Sequence, residues 1–302
     1  IGLHCYTDDD RATTLERGSF DGPFILYYVK QLLSNKITYG PEVDLFESEF
    51  AKELDVPYAV MVNSGSSANL LALAAAVNPA RKKRLKAGDV VLVPAVCWST
   101  SFAPILQLGL KPIFVDVDPK TANMNVGVLE NAIKSTGARA IMAVHIIGGA
   151  CDMDCLLDLV RKYDLILIED TCESMGSTYR GKTLGSFGDF GTFSLYYSHH
   201  ITCGEGGVTV CNTIEDHNLL RCLRAHGWTR HLTSHLTNRE VVEKQYKELD
   251  SRFLFVNTGF NFRPMSIQAA MARVQLKKLK QCNEGRKESY KRLYETLILD
   301  RR

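Results

Sequence analysis

Short apolar runs rich in β-branched residues alternate along this chain with amphipathic or alanine-rich stretches. Tyr58 to Val62, Val90 to Val93, Pro112 to Val115, Ala140 to His145 and Leu165 to Glu169 predict strands, while Ser67 to Val77, Val128 to Lys134 and Met153 to Tyr163 predict helices. This alternation specifies an α/β fold, a mostly parallel central sheet sandwiched by helices. Ligands of such sheets gather outside the carboxyl ends of the strands, and the chemistry is sought there.

After about residue 228 the alternation stops. A polar stretch from Thr229 to Asp250 leads to a compact motif, Thr258 to Pro264, then to a helix from Met265 through Lys280 and charged helix onward to Arg302. The expected organisation is a large domain, 1–228, with an N-terminal segment 1–36, and the start of a smaller C-terminal domain, 229–302, ending mid-element. The polar beginning is unlike a signal peptide, and the absence of an initiating Met implies an incomplete or processed N-terminus. Val90 to Leu110 is long and uncharged enough to suggest a membrane span, but Pro94, Pro104 and several hydroxyls make it a strand, a turn and a helix. A cytoplasmic location is expected.

Charge and cysteine usage narrow the partners. Thirty-six Lys+Arg against 34 Asp+Glu give no field that selects nucleic acid or an anionic membrane. The basic run Arg81 to Lys86 reads as a solvated loop entering a strand. Nine scattered cysteines suit a reducing compartment and read as mostly buried thiols. Cys151 and Cys155 share a helix-face spacing without a second ligand pair, so packing is expected and no metal. His231 and His235 read as loop or surface histidines.

Asn63-Ser64-Gly65-Ser66-Ser67-Ala68 follows a strand and opens a helix, so backbone N–H groups, hydroxyls and the helix dipole converge on an anion site. Taken alone, the same residues are a helix cap. The strand Leu165 to Glu169 delivers Asp170 at its carboxyl end, with Glu173 three residues on. A carboxylate there can pair with a protonated heterocyclic nitrogen and keep the ring an electron sink, or serve only as a cap. Trp98, after the strand Val90 to Val93, offers a plane to stack on such a ring; by itself it reads as core.

The stretch from Ser194 through His199 and His200 to Gly204-Glu-Gly-Gly207 completes the set. In this order the pieces resemble the DegT/StrS family of sugar aminotransferases, fold-type I pyridoxal phosphate enzymes. The resemblance runs from Ile37-Thr-Tyr-Gly-Pro41 to Gln275-Leu276. It includes Phe114-Val-Asp-Val-Asp-Pro119, Ile168-Glu-Asp170, Leu223-Arg-Ala-His-Gly227 and Gly259-Phe-Asn-Phe-Arg263. It implies a fold-type I architecture and a cytoplasmic homodimer with shared active sites.

In that family the position five residues after the Ser194 equivalent is the Schiff-base lysine. Here it is His199, and no lysine occurs between Lys182 and Lys244. Transaminase cycling should therefore be crippled, whereas pyridoxamine 5'-phosphate can condense with a substrate carbonyl and an imidazole can move the proton. The departure is similar to the family's 3-dehydratase subgroup, which implies a nucleotide-linked 4-keto-6-deoxyhexose, such as GDP-4-keto-6-deoxymannose, as substrate. Pyridoxal or pyridoxamine 5'-phosphate would be the cofactor and glutamate the amino donor. The resemblance assigns phosphate binding to Gly65, Ser66 and Ser194, the pyridine nitrogen to Asp170 and the ring hydroxyl to Glu173. It further gives a neighbouring subunit's phosphate to Asn261, and substrate positioning to His226. Cys203, Cys211 and Cys222 lack the spacing of an iron–sulfur dehydratase. Two rivals stay open, a nucleotide-sugar aminotransferase and an inactive B6-binding homologue.

Overall fold

The five predicted strands form, but within a sheet of seven. The computed structural model describes residues 22–34, 36–229, 244, 246–250 and 253–299. Helices α1 (Gly22–Leu33) and α2 (Pro41–Glu53) precede β1 (Tyr58–Val62), α3 (Gly65–Val77), β2 (Val90–Pro94), α4 (Ser99–Gln107), β3 (Lys111–Val115), α5 (Val126–Thr136) and β4 (Ala140–Val144). Then come α6 (Met153–Lys162), β5 (Ile166–Asp170), a small hairpin of β6 (Thr178–Tyr179) and β7 (Lys182–Thr183), β8 (Phe190–Ser194), β9 (Gly207–Cys211) and α7 (Ile214–Arg224). Helices α8 (Ser266–Leu276) and α9 (Leu279–Leu299) close the described chain.

The sheet order is β1-β9-β8-β5-β4-β2-β3. Strands β3, β2, β4, β5 and β8 run parallel, while β9 lies antiparallel between β8 and β1. Successive side chains point to opposite faces, so Val91 and Val93 join one cluster with Leu71, Leu73 and Leu223, and Leu92 joins another with Leu129 and Leu156. Ala59 and Met61 face a third cluster, where Phe46, Phe50, Ala272 and Leu276 pack. Helices thus cover both faces, as the alternation requires.

Local signals set the ends of the helices. Asn125 caps α5 by accepting from Gly127 N, and Gly137 closes it in the left-handed region at φ 66. Helix α3 is apolar nearly all round, which fits its burial against β8 and β9. The predicted single helix from Met265 is two, broken between Leu276 and Leu279.

Several surface expectations change. Arg81 does not wave in solvent: its guanidinium pairs with Asp189 at 2.9 Å and Asp216 at 2.7 Å and lies over the Phe190 ring. Lys83 donates to Leu165 O at 2.9 Å. The run latches a loop because a buried aromatic and two carboxylates lie within its reach. Cys151 is buried as expected, but Cys155 is exposed, since α6 starts between them and turns it outward. His231 and His235 lie outside the described residues.

Candidate active site

The amino end of α3 is locked against the sheet. Ser64 caps the helix by accepting from Ser67 N at 3.1 Å. A Cβ on Gly65 would lie 2.6 Å from Ser194 Cβ, and one on Gly207 would lie 2.2 Å from Ser64 O. Only glycine admits this approach. It brings the ends of β8 and β9 to the helix terminus, where the first N–H groups have no intrahelical partner and can face an anion. Ser66 is exposed beside Gly65, and Ser194 Oγ accepts from Tyr196 N at 3.2 Å.

Asp170, the last residue of β5, is 5% exposed. Its Oδ2 accepts from Asn69 Nδ2 at 2.9 Å and Ser101 Oγ at 2.8 Å, and its Oδ1 accepts from Cys172 N at 3.1 Å. Thr192 Oγ1 donates to Asn69 Oδ1 at 2.6 Å, so α3, α4 and β8 together aim the carboxylate. Oδ1 keeps a lone pair for one further donor. The preceding residue, Glu169, serves the opposite side: it is fully buried and accepts from the N–H groups of Gly185, Phe187 and Gly188. It also meets His145 Nε2 at 3.1 Å. Burial disfavours an imidazolium at His145 and Glu169 favours one, but Cys151 N donates to Nδ1 at 3.2 Å. That N–H can only donate, so Nδ1 bears no proton and Nε2–H donates to Glu169.

Trp98 is 72% exposed and is the residue on which α4 begins, with Ser101 N donating to Trp98 O at 3.0 Å. It is therefore no core residue: its plane stands free one turn from the Ser101 hydroxyl that bonds Asp170. Glu173 is also exposed, and its Oε2 accepts from Ile147 N at 3.0 Å. Ile147 holds a left-handed backbone, φ 51 and ψ 36, costly for a β-branched residue.

His199 sits in the loop after β8, its N–H donating to Tyr196 O at 3.1 Å and its ring edge-on to the Tyr196 ring at 6.2 Å. Burial pushes the imidazole below its ordinary value, the carboxylates of Glu173 and Asp170 pull it back up, and the Arg286 guanidinium pushes it down. The ring thus stands within electrostatic reach of both carboxylates and is neutral near pH 7. Burial raises the neighbouring Cys97 thiol to about 11, Asp170 adding to it, so that thiol is no nucleophile at neutral pH.

His226 and Asn261 form a separate pair. His226 is exposed at φ 63 and its N–H donates to Phe260 O at 2.7 Å, while Ala225 and Asn261 form an isolated antiparallel bridge. Asn63 N donates to Phe262 O at 3.1 Å, which attaches this segment to the end of β1. Asn261 Oδ1 accepts from Arg263 Nε at 3.0 Å. Asn69, Ser101 and Thr192 were not among the expected site residues. Asn69 had a readable signal, as the one amide within the apolar helix α3; the other two had none. Among the described residues no cluster of three His, Cys, Asp or Glu could hold a metal ion, and no helix is long and apolar enough to cross a membrane.

Comparison with known proteins gives the family and the fold. The sequence profile of the DegT/DnrJ/EryC1/StrS aminotransferase family matches residues 21–300. The chain is 42% identical over 252 residues to GDP-4-keto-6-deoxy-D-mannose 3-dehydratase of Escherichia coli O55:H7, covering 83% of this chain and 64% of that protein. It superposes with TM-score 0.78 and 40% identity on a crystal structure of GDP-4-keto-6-deoxymannose-3-dehydratase holding a trapped PLP–glutamate geminal diamine, over 86% of this chain and 66% of that one. A variant of a GDP-4-keto-6-deoxymannose-3-dehydratase with bound GDP-perosamine gives TM-score 0.79 and 40% identity over the same shares. The chain therefore spans just under two thirds of the length of these relatives.

Proposed function

The chain belongs to the DegT/DnrJ/EryC1/StrS aminotransferase family, and on that footing we propose that it acts as a 3-dehydratase dependent on pyridoxamine 5'-phosphate. The substrate is a nucleotide-linked 4-keto-6-deoxyhexose such as GDP-4-keto-6-deoxymannose, and glutamate is the amino donor. What supports the reading is His199: an imidazole takes the position at which the family resemblance expects a lysine, and it is electrostatically coupled to Asp170 and Glu173.

The residues present fit the cofactor. The glycine-only approach of α3 to Ser194 brings the start of the helix next to the Ser194 side chain, and the N–H groups of Gly65 and Ser66 with the Ser194 hydroxyl would suit a phosphate. Asp170, with a spare lone pair, pairs with a ring N–H; Glu173 accepts from the ring hydroxyl; Trp98 covers a ring face. When bound, the cofactor supplies an amine for the sugar's keto carbon and a ring that takes up electrons. His199 would then take up, on its free ring nitrogen, a proton from the carbon that bears the cofactor's amine. The resulting imidazolium, stabilised by Glu173 and Asp170, would give that proton to the hydroxyl that departs from C3 as water.

His226 positions the sugar, and Asn261 reaches the phosphate site of a second subunit in a homodimer with shared sites. The exposed apolar side chains Ile25, Leu26 and Leu33 of α1 are consistent with contact between subunits. We place the enzyme in the cytoplasm, supplying deoxysugars for polysaccharide synthesis.

The test incubates the full chain with pyridoxamine 5'-phosphate, glutamate and a panel of nucleotide 4-keto-6-deoxy sugars. Loss of one water from a sugar and release of ammonia are expected. Borohydride reduction of protein loaded with pyridoxal 5'-phosphate should leave no phosphopyridoxyl lysine. An adduct would overturn the reading in favour of an aminotransferase, and cofactor binding without any dehydration would leave an inactive homologue.

A further inference from the structure

The first turns of α9 grip the site from behind. Asn283 and Arg286, three residues apart, lie on one helix face. Asn283 Nδ2 donates to Met175 O at 3.0 Å. The next residue, Gly176, has φ 82, and a Cβ there would fall 2.5 Å from Asn283 Nδ2, so the loop lies as near the helix as a glycine allows. Arg286 Nη2 donates to His199 O at 2.9 Å. Met175 follows Glu173 by two residues. One helix face therefore holds the main chains of the two loops that carry the carboxylate and the imidazole.

We infer that Arg286, together with Asn283, is a positioning residue: the two side chains clamp the loops of His199 and Glu173 at a fixed separation and set a permanent positive charge behind the imidazole. The inference rests on reading His199 as the base. Arginine suits the task because its guanidinium keeps both its charge and its donors at every working pH.

The groups around His199 come from every element packed on it. From β5 and the loop after it, Asp170 and Glu173 favour the imidazolium; from α9, Arg286 opposes it, and burial opposes it most. From its own loop, Tyr196 presents a ring edge, and His200 adds no charge because burial, then Arg286 and His199, push it down to about 3. Arg286 is thus the cation that, in addition to burial, opposes the two carboxylates at the base.

The experiment follows the His199 ring by proton–carbon NMR through a pH titration of the full chain, without added cofactor. Arg286→Gln should move the His199 midpoint to higher pH, and Arg286→Lys should return it toward the wild-type position. Near 1 M salt, where the screening length falls to about 3 Å, the difference should shrink but persist in part, because a partly buried ring is screened less than an exposed one. In the dehydration assay Arg286→Gln should move the acid limb upward and lower kcat by roughly ten- to a hundredfold with little change in KM, the scale of a displaced catalytic group. Asn283→Ala should lower kcat without moving the His199 midpoint. An unmoved midpoint in Arg286→Gln, with unchanged kcat, overturns the inference. A wild-type protein that dehydrates no sugar defeats the dehydratase reading instead, and the NMR titration still decides the part played by Arg286.

Discussion

Replacing Asn69 by alanine tests whether Asp170 is held by the protein before any ligand arrives. Asn69 is 1% exposed, and its amide makes three contacts: to Asp170 Oδ2 at 2.9 Å, to Thr100 O at 3.2 Å and from Thr192 Oγ1 at 2.6 Å. A hydrogen bond to a charged partner contributes about 1.5–3 kcal/mol and a neutral one about 1 kcal/mol. Thr192 Oγ1 can turn fully to Glu169 O, already 3.3 Å away, so it is not stranded. The expected loss is about 2.5–4 kcal/mol, a large part of the roughly 5–15 kcal/mol that stabilises a domain. Urea unfolding should show a lower midpoint at unchanged slope, and affinity for pyridoxamine 5'-phosphate should fall about tenfold, or about 1.4 kcal/mol. Thr192→Val alone should cost about 1 kcal/mol and couple to Asn69→Ala. A loss below about 1 kcal/mol for Asn69→Ala, or additivity within about 0.3–0.5 kcal/mol in the double variant, would refute the reasoning, because water would then be replacing the amide.

Four further outcomes are expected. Gly65→Ala drives a methyl into Ser194, so α3 must shift; roughly 1–3 kcal/mol of strain and a tenfold or greater loss of cofactor affinity should appear in thermal melts and binding titrations. Arg224→Met removes a fully buried guanidinium that bonds Glu47 and Met61 O, leaving Glu47 unpaired; urea unfolding should record a loss of about 3–5 kcal/mol, partly regained by Glu47→Gln. His199→Lys should trap pyridoxal 5'-phosphate covalently and stop water loss; absorbance and mass spectra read the adduct, and undiminished dehydration would free His199 from its assigned part. Burial, with nearby arginines, lowers His217 to about 4, as it lowers His200 to about 3, so both folded values lie beneath the unfolded value near 6.5. The unfolded chain takes the protons first, and stability is complete above pH 6.5 and declines as pH falls, by roughly 2 kcal/mol for each histidine at pH 5. Melting temperatures between pH 7 and pH 5 check this, with His217→Asn expected to shed about half the loss.

Most of the architecture was legible because β1 to β5 are β-branched runs whose ends lie within a residue or so of the predicted ones. Strands β8 and β9 escaped notice because glycines dilute their pattern, and those glycines answer to contacts distant in sequence. A Cβ on Gly191 would lie 2.0 Å from Gly185 O, just as one on Gly207 would strike Ser64. In the site, residues at strand ends and helix starts, Gly65, Trp98 and Asp170, could be picked out since their positions follow from the alternation itself, whereas Ser194, at the end of the unnoticed β8, came only from the family resemblance. Ser101, Thr192 and Arg286 could not, because nothing near them in the chain distinguishes a hydroxyl or guanidinium that bonds a distant loop from one that meets water.

Among the described residues strand β1 has a single neighbour in the sheet, β9, with Tyr58 opposite Cys211 and Val62 opposite Gly207. A chain leaving the ribosome amino end first therefore carries β1 and the start of α3 unpaired until residue 211 has emerged. The proposed phosphate cradle is written early in the message and finished late. A nascent chain stalled before residue 194 would contain the whole of α3 yet lack the Ser194 hydroxyl, and so hold only half of the proposed phosphate grip.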